Sequence, residues 1–201
     1  MILPKVREIK EALVSLFSAP YTTKFPAQPD TESKRYRGMP RYDKTFCVGC
    51  GACAQVCPSR AIKMSDDSMR KVRTLQVDYG SCIQCGQCEE KCITAPKGIA
   101  NTNFYSLAVT DVKAPEDFET IERKLVLCES CGEIIACRDH LRWINLRLGA
   151  KAYAHPNLLL LTQAEFAEVI ASKPKESIRR EDQIMTVCAR CRQRIVTADE
   201  F

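Results

Sequence analysis

The chain has 201 residues, of which 45% are hydrophobic and 27% are charged, a composition that indicates a globular protein and excludes an intrinsically disordered one. Its formal net charge of +5 is mild and its basic residues are spread along the chain, so charge gives no argument for nucleic-acid binding. Thirteen cysteines, with no predicted signal peptide or membrane-spanning run, favour metal ligation in a reducing compartment over a secreted disulfide framework.

Residues 1–20 are predicted to form an amphipathic helix, because apolar residues recur at helical spacing from Leu3 to Phe17. The apolar stripe either packs on the rest of the chain or docks on a lipid surface or a partner protein. A proline-containing, extended linker follows and includes the basic cluster Lys34–Arg37, which is either a solvated face or a contact with anions. We therefore take residues 1–40 as a helix with a linker.

An internal repeat occupies residues 41–110, where two groups of four cysteines begin 35 residues apart. Alternating residues predict a strand over Lys71–Tyr79 between the two groups, and Phe104–Thr110 is a further strand candidate. Residues 111–201 are predicted to be a different unit that starts with a proline-containing, acidic boundary.

Within this C-terminal unit, a short apolar strand is predicted at Leu125–Leu127. A helix is expected from about Ala136 to Leu148, ended by Gly149. A second helix is expected to begin at Thr162, because Thr162 and Glu165 match a capping box.

The two repeated cysteine groups share the spacing Cys-x2-Cys-x2-Cys-x3-Cys and consist of Cys47, Cys50, Cys53 and Cys57, and of Cys82, Cys85, Cys88 and Cys92. This spacing is that of bacterial [4Fe–4S] proteins, in which the fourth cysteine of each group binds the cluster of the other group. We therefore predict two clusters, cluster 1 on Cys47, Cys50, Cys53 and Cys92, and cluster 2 on Cys82, Cys85, Cys88 and Cys57. Zinc is the alternative, but the repeated spacing is unlike a zinc site.

Two further Cys-x2-Cys pairs lie near the C-terminus, at Cys128 and Cys131 and at Cys188 and Cys191. Four thiolates in two such pairs suit one tetrahedral zinc ion with a structural role. A rubredoxin-type iron site and four unligated cysteines are the alternatives. The remaining Cys137 is expected to be a small buried residue rather than a ligand.

The repeated cysteines, the N-terminal helix and the segment from Tyr36 to Lys44 resemble the two-cluster ferredoxin subunit of respiratory complex I and its hydrogenase relatives. The tail pairs narrow the resemblance to the ferredoxin subunit of formate hydrogenlyase and hydrogenase-4. The resemblance implies an α+β protein: a bacterial ferredoxin-like domain with two [4Fe–4S] clusters, an N-terminal amphipathic helix and a zinc-ribbon-like helical extension.

The same resemblance implies a peripheral subunit on the cytoplasmic side of the cell membrane. Its expected partners are the hydrogenase small subunit with the terminal cluster, the large catalytic subunit, the membrane subunits and an upstream electron donor protein, with no nucleic acid. No nucleotide loop or catalytic constellation is present in the sequence, so the chain is expected to relay single electrons. The alternatives are a complex I subunit, a freestanding soluble ferredoxin, and a regulatory protein with clusters and zinc.

Overall fold

The computed structural model describes residues 5–22, 24, 27–28, 33, 35–106, 117–166 and 185–197. The chain divides into two compact units, residues 1–36 and residues 37–201. The first unit contains helix α1, Val6–Phe17, whose start is stabilised by a hydrogen bond of 3.0 Å from the Lys5 backbone N–H to Glu8 Oε2. None of the residues of α1 is buried. Over the described residues, no helix is both long and apolar enough to cross a bilayer.

In the second unit, a short antiparallel pair joins β1, Pro40–Tyr42, to β4, Ile99–Asn101, with Pro40 opposite Asn101. The larger sheet is antiparallel with the order β2-β3-β5-β6. Its strands are β2, Ile62–Asp67; β3, Val72–Asp78; β5, Phe118–Leu127; and β6, Ile134–Cys137. The pairing of β5 with β3 over seven residues joins the segment after residue 116 directly to the strand between the two cysteine groups.

The core of this unit is built from apolar residues and cysteines together. Leu75 and Val77 alternate on β3 and are fully buried, as the two-residue period of a strand requires. They pack with Met39, Ile99 and other apolar side chains, and the buried thiols of Cys53 and Cys88 are part of the same hydrophobic core. The hydrophobic core therefore surrounds the cysteine groups.

Two one-turn helices carry the ends of the cysteine loops, namely α2, Ala52–Gln55, and α3, Gln87–Glu90. The described residues of the C-terminal part also contain these helical segments: α4, Arg138–Leu148; a 3₁₀ segment, Gly149–Ala154; α5, Pro156–Phe166; and α6, Ala189–Thr197. Leu141, Ala152 and Leu158 form a small core between α4, the 3₁₀ segment and α5.

Most predicted elements of the second unit are present with shifted ends. The strand predicted over Lys71–Tyr79 is β3, and Leu125–Leu127 is the end of β5. The helix predicted from Ala136 begins at Arg138, because Ile134–Cys137 pairs with β5 as a strand. Its end at Gly149 is as predicted, with a positive φ of 56°.

Two predicted elements differ from the structure or cannot be compared with it. The helix start at Thr162 is wrong, because α5 begins at Pro156, a residue that favours the first helical turn. Thr162 lies inside the helix, where its hydroxyl donates to the Leu158 carbonyl at 3.0 Å instead of capping. Of the predicted strand Phe104–Thr110, residues 104–106 are not in a strand, and the others lie outside the described residues.

Candidate metal centres

Two cavities of the second unit are each lined by four cysteines. The cysteines that line the first cavity are Cys47, Cys50, Cys53 and Cys92. Those that line the second cavity are Cys57, Cys82, Cys85 and Cys88. Each cavity thus takes three cysteines from one loop and the fourth from the other repeat, which are the sets predicted from the spacing.

The backbone of the two loops is shaped for close approach to a bound group. We call residues 47–53 the first loop and residues 82–88 the second loop. Gly51 and Gly86 both adopt the left-handed conformation, with φ of 78°, just before α2 and α3. Two residues earlier, Gly49 and Gln84 also have positive φ, 71° and 54°. The 35-residue repeat is therefore reproduced in the backbone conformation, which turns each loop around its cavity.

Backbone N–H groups of the loops point at the cysteine sulfurs. Burial raises the pKa of the Cys47 and Cys82 thiols, while the N–H groups of Gly49 and Gln84 act in the opposite direction as donors to these sulfurs. Burial also raises the pKa of Cys53 to about 12. Such thiols need a cation to be held as thiolates, and converging N–H groups suit a negatively charged iron–sulfur cluster.

The fourth cysteine of each group has a different environment. Burial raises the pKa of Cys57 and Cys92, but hydrogen bonds from backbone N–H groups and a nearby hydroxyl outweigh it, and both pKa values are lowered. The hydroxyls are Ser59 Oγ, 3.7 Å from Cys57 Sγ, and Thr94 Oγ1, 3.3 Å from Cys92 Sγ. In both repeats, therefore, the sulfur of the fourth cysteine contacts a hydroxyl that lies two residues further along the chain.

Three side chains of the larger sheet hold the carbonyl groups of the first loop and of the residues before it. Arg73 Nη1 donates to the Gly49 carbonyl at 3.1 Å, and the Cys137 thiol donates to the same carbonyl at 3.3 Å. Arg123 Nη2 donates to the Lys44 carbonyl. Arg73 is itself held by two hydrogen bonds, of 2.7 and 2.8 Å, to the Asp66 carboxylate. Cys137 is fully buried, as predicted, and this contact gives it a position against the first loop.

The second loop has other neighbours. Arg37 Nη1 donates to the Cys85 carbonyl at 3.2 Å. Asn101 lines the second cavity, and its backbone N–H donates to Glu89 Oε2 at 2.8 Å. Arg73, Arg123 and Asn101 were not predicted as site residues from the sequence. Strand alternation places Arg73 on the face of Leu75 and Val77 and could have revealed it, but no sequence signal pointed to Asn101.

The tail cysteines also come together. The sulfurs of Cys128, Cys131, Cys188 and Cys191 all lie within 4.8 Å of one another, and those of Cys131 and Cys188 are 3.7 Å apart. Tetrahedral zinc with Zn–S bonds of about 2.3 Å has sulfur–sulfur edges of about 3.8 Å, so this donor set fits such an ion. Neither His140 nor His155 is part of this group.

Backbone and amide hydrogen bonds position these four thiols. Burial raises the pKa of Cys128, but the N–H groups of Cys131, Cys188 and Ser130 outweigh it and bring the pKa to about 7. The buried side chain of Asn157 on α5 binds both backbone groups of Val187, at 2.9 and 3.3 Å, next to Cys188. Helix α5 therefore fixes the backbone directly before Cys188.

The cysteine cavities define the class of protein as a ferredoxin-type iron–sulfur protein, and a family model described as a 4Fe-4S dicluster domain matches residues 46–95. NAD(P)H-quinone oxidoreductase subunit I of Gloeobacter violaceus is 29% identical over 97 residues, covering 46% of each chain. NADH-quinone oxidoreductase subunit I 2 of Geobacter metallireducens is 30% identical over 100 residues, covering 46% of this chain and 76% of that protein. Formate hydrogenlyase subunit 6 of Escherichia coli is 37% identical over 46 residues, covering 23% of this chain and 26% of that protein.

The chain thus spans about half the length of the first of these relatives and about three quarters of the second. It belongs to the family of two-cluster, ferredoxin-type electron-transfer subunits that includes subunit I of NADH-quinone oxidoreductase. The matches to the two quinone oxidoreductase subunits cover less than half of this chain.

Proposed function

We propose that this chain relays single electrons as the two-cluster subunit of a membrane-bound hydrogenase or formate hydrogenlyase complex. The observation that carries the proposal is the pair of neighbouring four-cysteine cavities inside one hydrophobic core. When bound, [4Fe–4S] clusters supply one-electron redox chemistry. The name of the Escherichia coli relative, a formate hydrogenlyase subunit, supports this type of complex.

The proposed ligands follow the lining of the cavities. Cluster 1 is held by Cys47, Cys50, Cys53 and Cys92, and cluster 2 by Cys57, Cys82, Cys85 and Cys88. The chain does three things for them: its loops point N–H groups at sulfur, its apolar core excludes water, and its crossed ligands keep the two cavities adjacent. Tyr42, whose hydroxyl is 3.8 Å from Cys53 Sγ, closes the first cavity on the core side.

The tail cysteines are proposed to bind one zinc ion in a zinc-ribbon-like extension. The four sulfurs have the spacing of a tetrahedral site, and zinc has no redox chemistry, so its role is to fix the extension. In this organisation residues 1–40 form the helix and linker, residues 41–110 the cluster domain, and residues 111–201 the extension, with β5 joining the extension to the cluster domain's sheet.

The proposed place of the chain is on the cytoplasmic side of the membrane as a peripheral subunit. The apolar side chains of Leu13 and Phe17 on helix α1 are exposed. Such a surface suits docking to a partner or to lipid. The proposed partners are an upstream electron donor protein, the hydrogenase small subunit with its terminal cluster, the large catalytic subunit, and the membrane subunits.

A second candidate is the corresponding subunit of an NADH-quinone oxidoreductase. It is favoured by the relatives of that name, which align over about 100 residues, whereas the formate hydrogenlyase relative aligns over 46. The tail cysteine group is the feature that argues for the hydrogenase type, since the sequence resemblance at the tail pairs is to that type.

Purification of the complex from native membranes separates these candidates. A tagged full-length chain is expected to bring down a nickel-containing large subunit, detected by metal analysis and by hydrogen-dependent dye reduction. A complex that contains flavin, oxidises NADH and lacks nickel would instead support the quinone oxidoreductase type. A chain recovered alone under conditions that keep other membrane complexes intact would contradict both.

A further inference from the structure

Asn101 places an unpaired amide side chain at the second cavity. Its Nδ2 and Oδ1 atoms are buried, and neither has a hydrogen-bond partner within the part of the chain that the structure describes. A buried polar group without a partner destabilises a fold, because it has lost its hydrogen bonds to water. Since Asn101 lines the second cavity together with four cysteines, we expect the hydrogen-bond partner of its amide to be a group bound in that cavity.

The amide nitrogen lies against the second loop. A Cβ atom on Gly86 would be 3.5 Å from Asn101 Nδ2, which places the nitrogen beside the turn between Cys85 and Cys88. The register of β4 fixes this position, because Asn101 pairs with Pro40, another residue that lines the second cavity. An asparagine amide offers two N–H donors, and an iron–sulfur cluster offers only acceptors.

The first loop has a different residue at the corresponding place. Strands β2 and β4 each follow the fourth cysteine of a group and begin with an isoleucine, and their third residues are Met64 and Asn101. A Cβ atom on Gly51 would be 2.6 Å from Met64 Sδ, just as one on Gly86 would face Asn101. The Met64 side chain has no N–H group, so of these two residues only Asn101 offers a side-chain donor.

We propose that Asn101 donates a hydrogen bond to a sulfur atom of cluster 2 and thereby raises the reduction potential of that cluster. This inference depends on the proposed assignment of Cys57, Cys82, Cys85 and Cys88 to one cluster. The reduced cluster carries one more negative charge than the oxidised one and accepts a hydrogen bond more strongly. Hydrogen bonds to sulfur are among the features that set the potential of such clusters.

The test replaces Asn101 with methionine, the residue found at the corresponding position 64, as Asn101→Met in the full-length chain. Redox titration followed by electron paramagnetic resonance is expected to show an about tenfold lower ratio of reduced to oxidised cluster 2 at fixed potential, equivalent to about 59 mV for one electron. The potential of cluster 1 is expected to stay unchanged. Met64→Leu is the matched control and is expected to change neither potential, because it removes no donor.

A second measurement does not depend on how well the variant folds. Protein labelled with ¹⁵N at asparagine is reduced and studied by electron–nuclear double resonance, in which Asn101 Nδ2 is expected to couple to the cluster 2 spin. If Asn101→Met does not assemble, Asn101→Asp, which keeps the shape but loses the N–H donors, is expected to lower the cluster 2 potential below that of the wild type. Absence of the nitrogen coupling, or equal potentials in wild type and variant, would overturn the inference.

The outcomes also separate this inference from the ligand assignment on which it depends. A wild-type chain that binds only one cluster defeats the assignment itself. Two intact clusters whose potentials do not respond to position 101 defeat only the role of Asn101.

Discussion

The first loop, residues 47–53, is held from outside by side chains of the larger sheet, whereas the second loop, residues 82–88, is held by segments beside β1 and β4. Arg73 and Cys137 converge on the Gly49 carbonyl in the first case. Arg37 binds the Cys85 carbonyl and Asn101 faces the second cavity in the other. Two loops with the same cysteine spacing and the same turns therefore have different hydrogen-bonding neighbours, and such differences around a cluster tune its reduction potential.

The largest expected effect comes from breaking the crossing of ligands between the halves. Cys92→Ser is expected to remove the same electron paramagnetic resonance signal as Cys50→Ser, whereas Cys57→Ser is expected to remove the signal that Cys85→Ser removes. In each variant iron is expected to fall from roughly eight to roughly four per chain, since each cubane contains four irons. If Cys92→Ser and Cys85→Ser affected the same signal, the crossing would be wrong.

The next effect concerns the tail, where the sulfurs of Cys128, Cys131, Cys188 and Cys191 lie together. Cys191→Ser is expected to reduce zinc from about one atom per chain to near zero, while both clusters keep their signals. The matched control is Cys137→Ala, which changes a cysteine outside the tail group and is expected to leave the zinc content unchanged. Wild-type protein with an extra iron in place of zinc would identify the rubredoxin-type alternative instead.

A smaller effect tests how tightly the first loop is packed. A Cβ on Gly98 would lie 2.6 Å from Cys47 Cα and 2.8 Å from Cys47 N, both backbone atoms that cannot rotate away. Gly98→Ala is therefore expected to destabilise the protein by about 2–3 kcal/mol and to perturb cluster 1 more than cluster 2. The melting temperature and the two cluster signals report this under anaerobic conditions.

Gly132→Ala is the control for Gly98→Ala. Gly132 has a positive φ of 73°, but no atom of the described residues lies within 4 Å of its Cβ position, so only the backbone strain of about 1–2 kcal/mol is expected. A loss of stability in Gly132→Ala equal to that in Gly98→Ala, or a larger effect of Gly98→Ala on cluster 2, would contradict the packing argument.

The smallest effect concerns the ion pair that supports Arg73. The hydrogen bonds from Arg73 lower the pKa of Asp66 below its ordinary value of 3.8. A carboxyl with a lowered folded-state pKa contributes stability above its unfolded value and loses it as the pH falls through the folded value. Asp66→Asn is therefore expected to lower stability by about 0.5–1 kcal/mol at pH 7 and equally at pH 5, with the difference narrowing only below about pH 4.

Melting temperatures of wild type and Asp66→Asn at these pH values test this prediction. Arg70→Gln, which removes an exposed pair with Glu122 at 3.4 Å, serves as the comparison and is expected to have little effect. A difference between wild type and Asp66→Asn that disappeared already between pH 7 and pH 5 would show that another group is responsible.

The sequence predicted the features that depend on spacing along the chain. The sets of cysteines brought to each cavity follow from the repeated motif, and β3 follows from strict alternation between Lys71 and Tyr79. The four tail sulfurs lie within 4.8 Å of one another, an arrangement that the hypothesis of one metal ion shared by two Cys-x2-Cys pairs requires. Strand alternation is a local pattern, and the cysteine motifs indicate which residues can share one metal group.

The features that the sequence did not reveal depend on tertiary contacts. Thr162 and Glu165 match a capping box, yet Pro156 starts the helix earlier, and the pattern had no information on that choice. Asn101 acquires its position only through the pairing of β4 with β1. The contact of Cys137 with Gly49 requires the sheet to join residues 88 positions apart, which no local pattern reports.

We propose above that this chain holds two [4Fe–4S] clusters that each carry one electron. Anaerobic purification of the full-length chain, followed by iron, sulfide and spin quantification in the same sample, tests it most directly. We predict roughly eight irons and eight sulfides per chain and, after full reduction, two interacting one-electron centres. Four irons with a single centre, or cysteine groups occupied by zinc, would contradict the account.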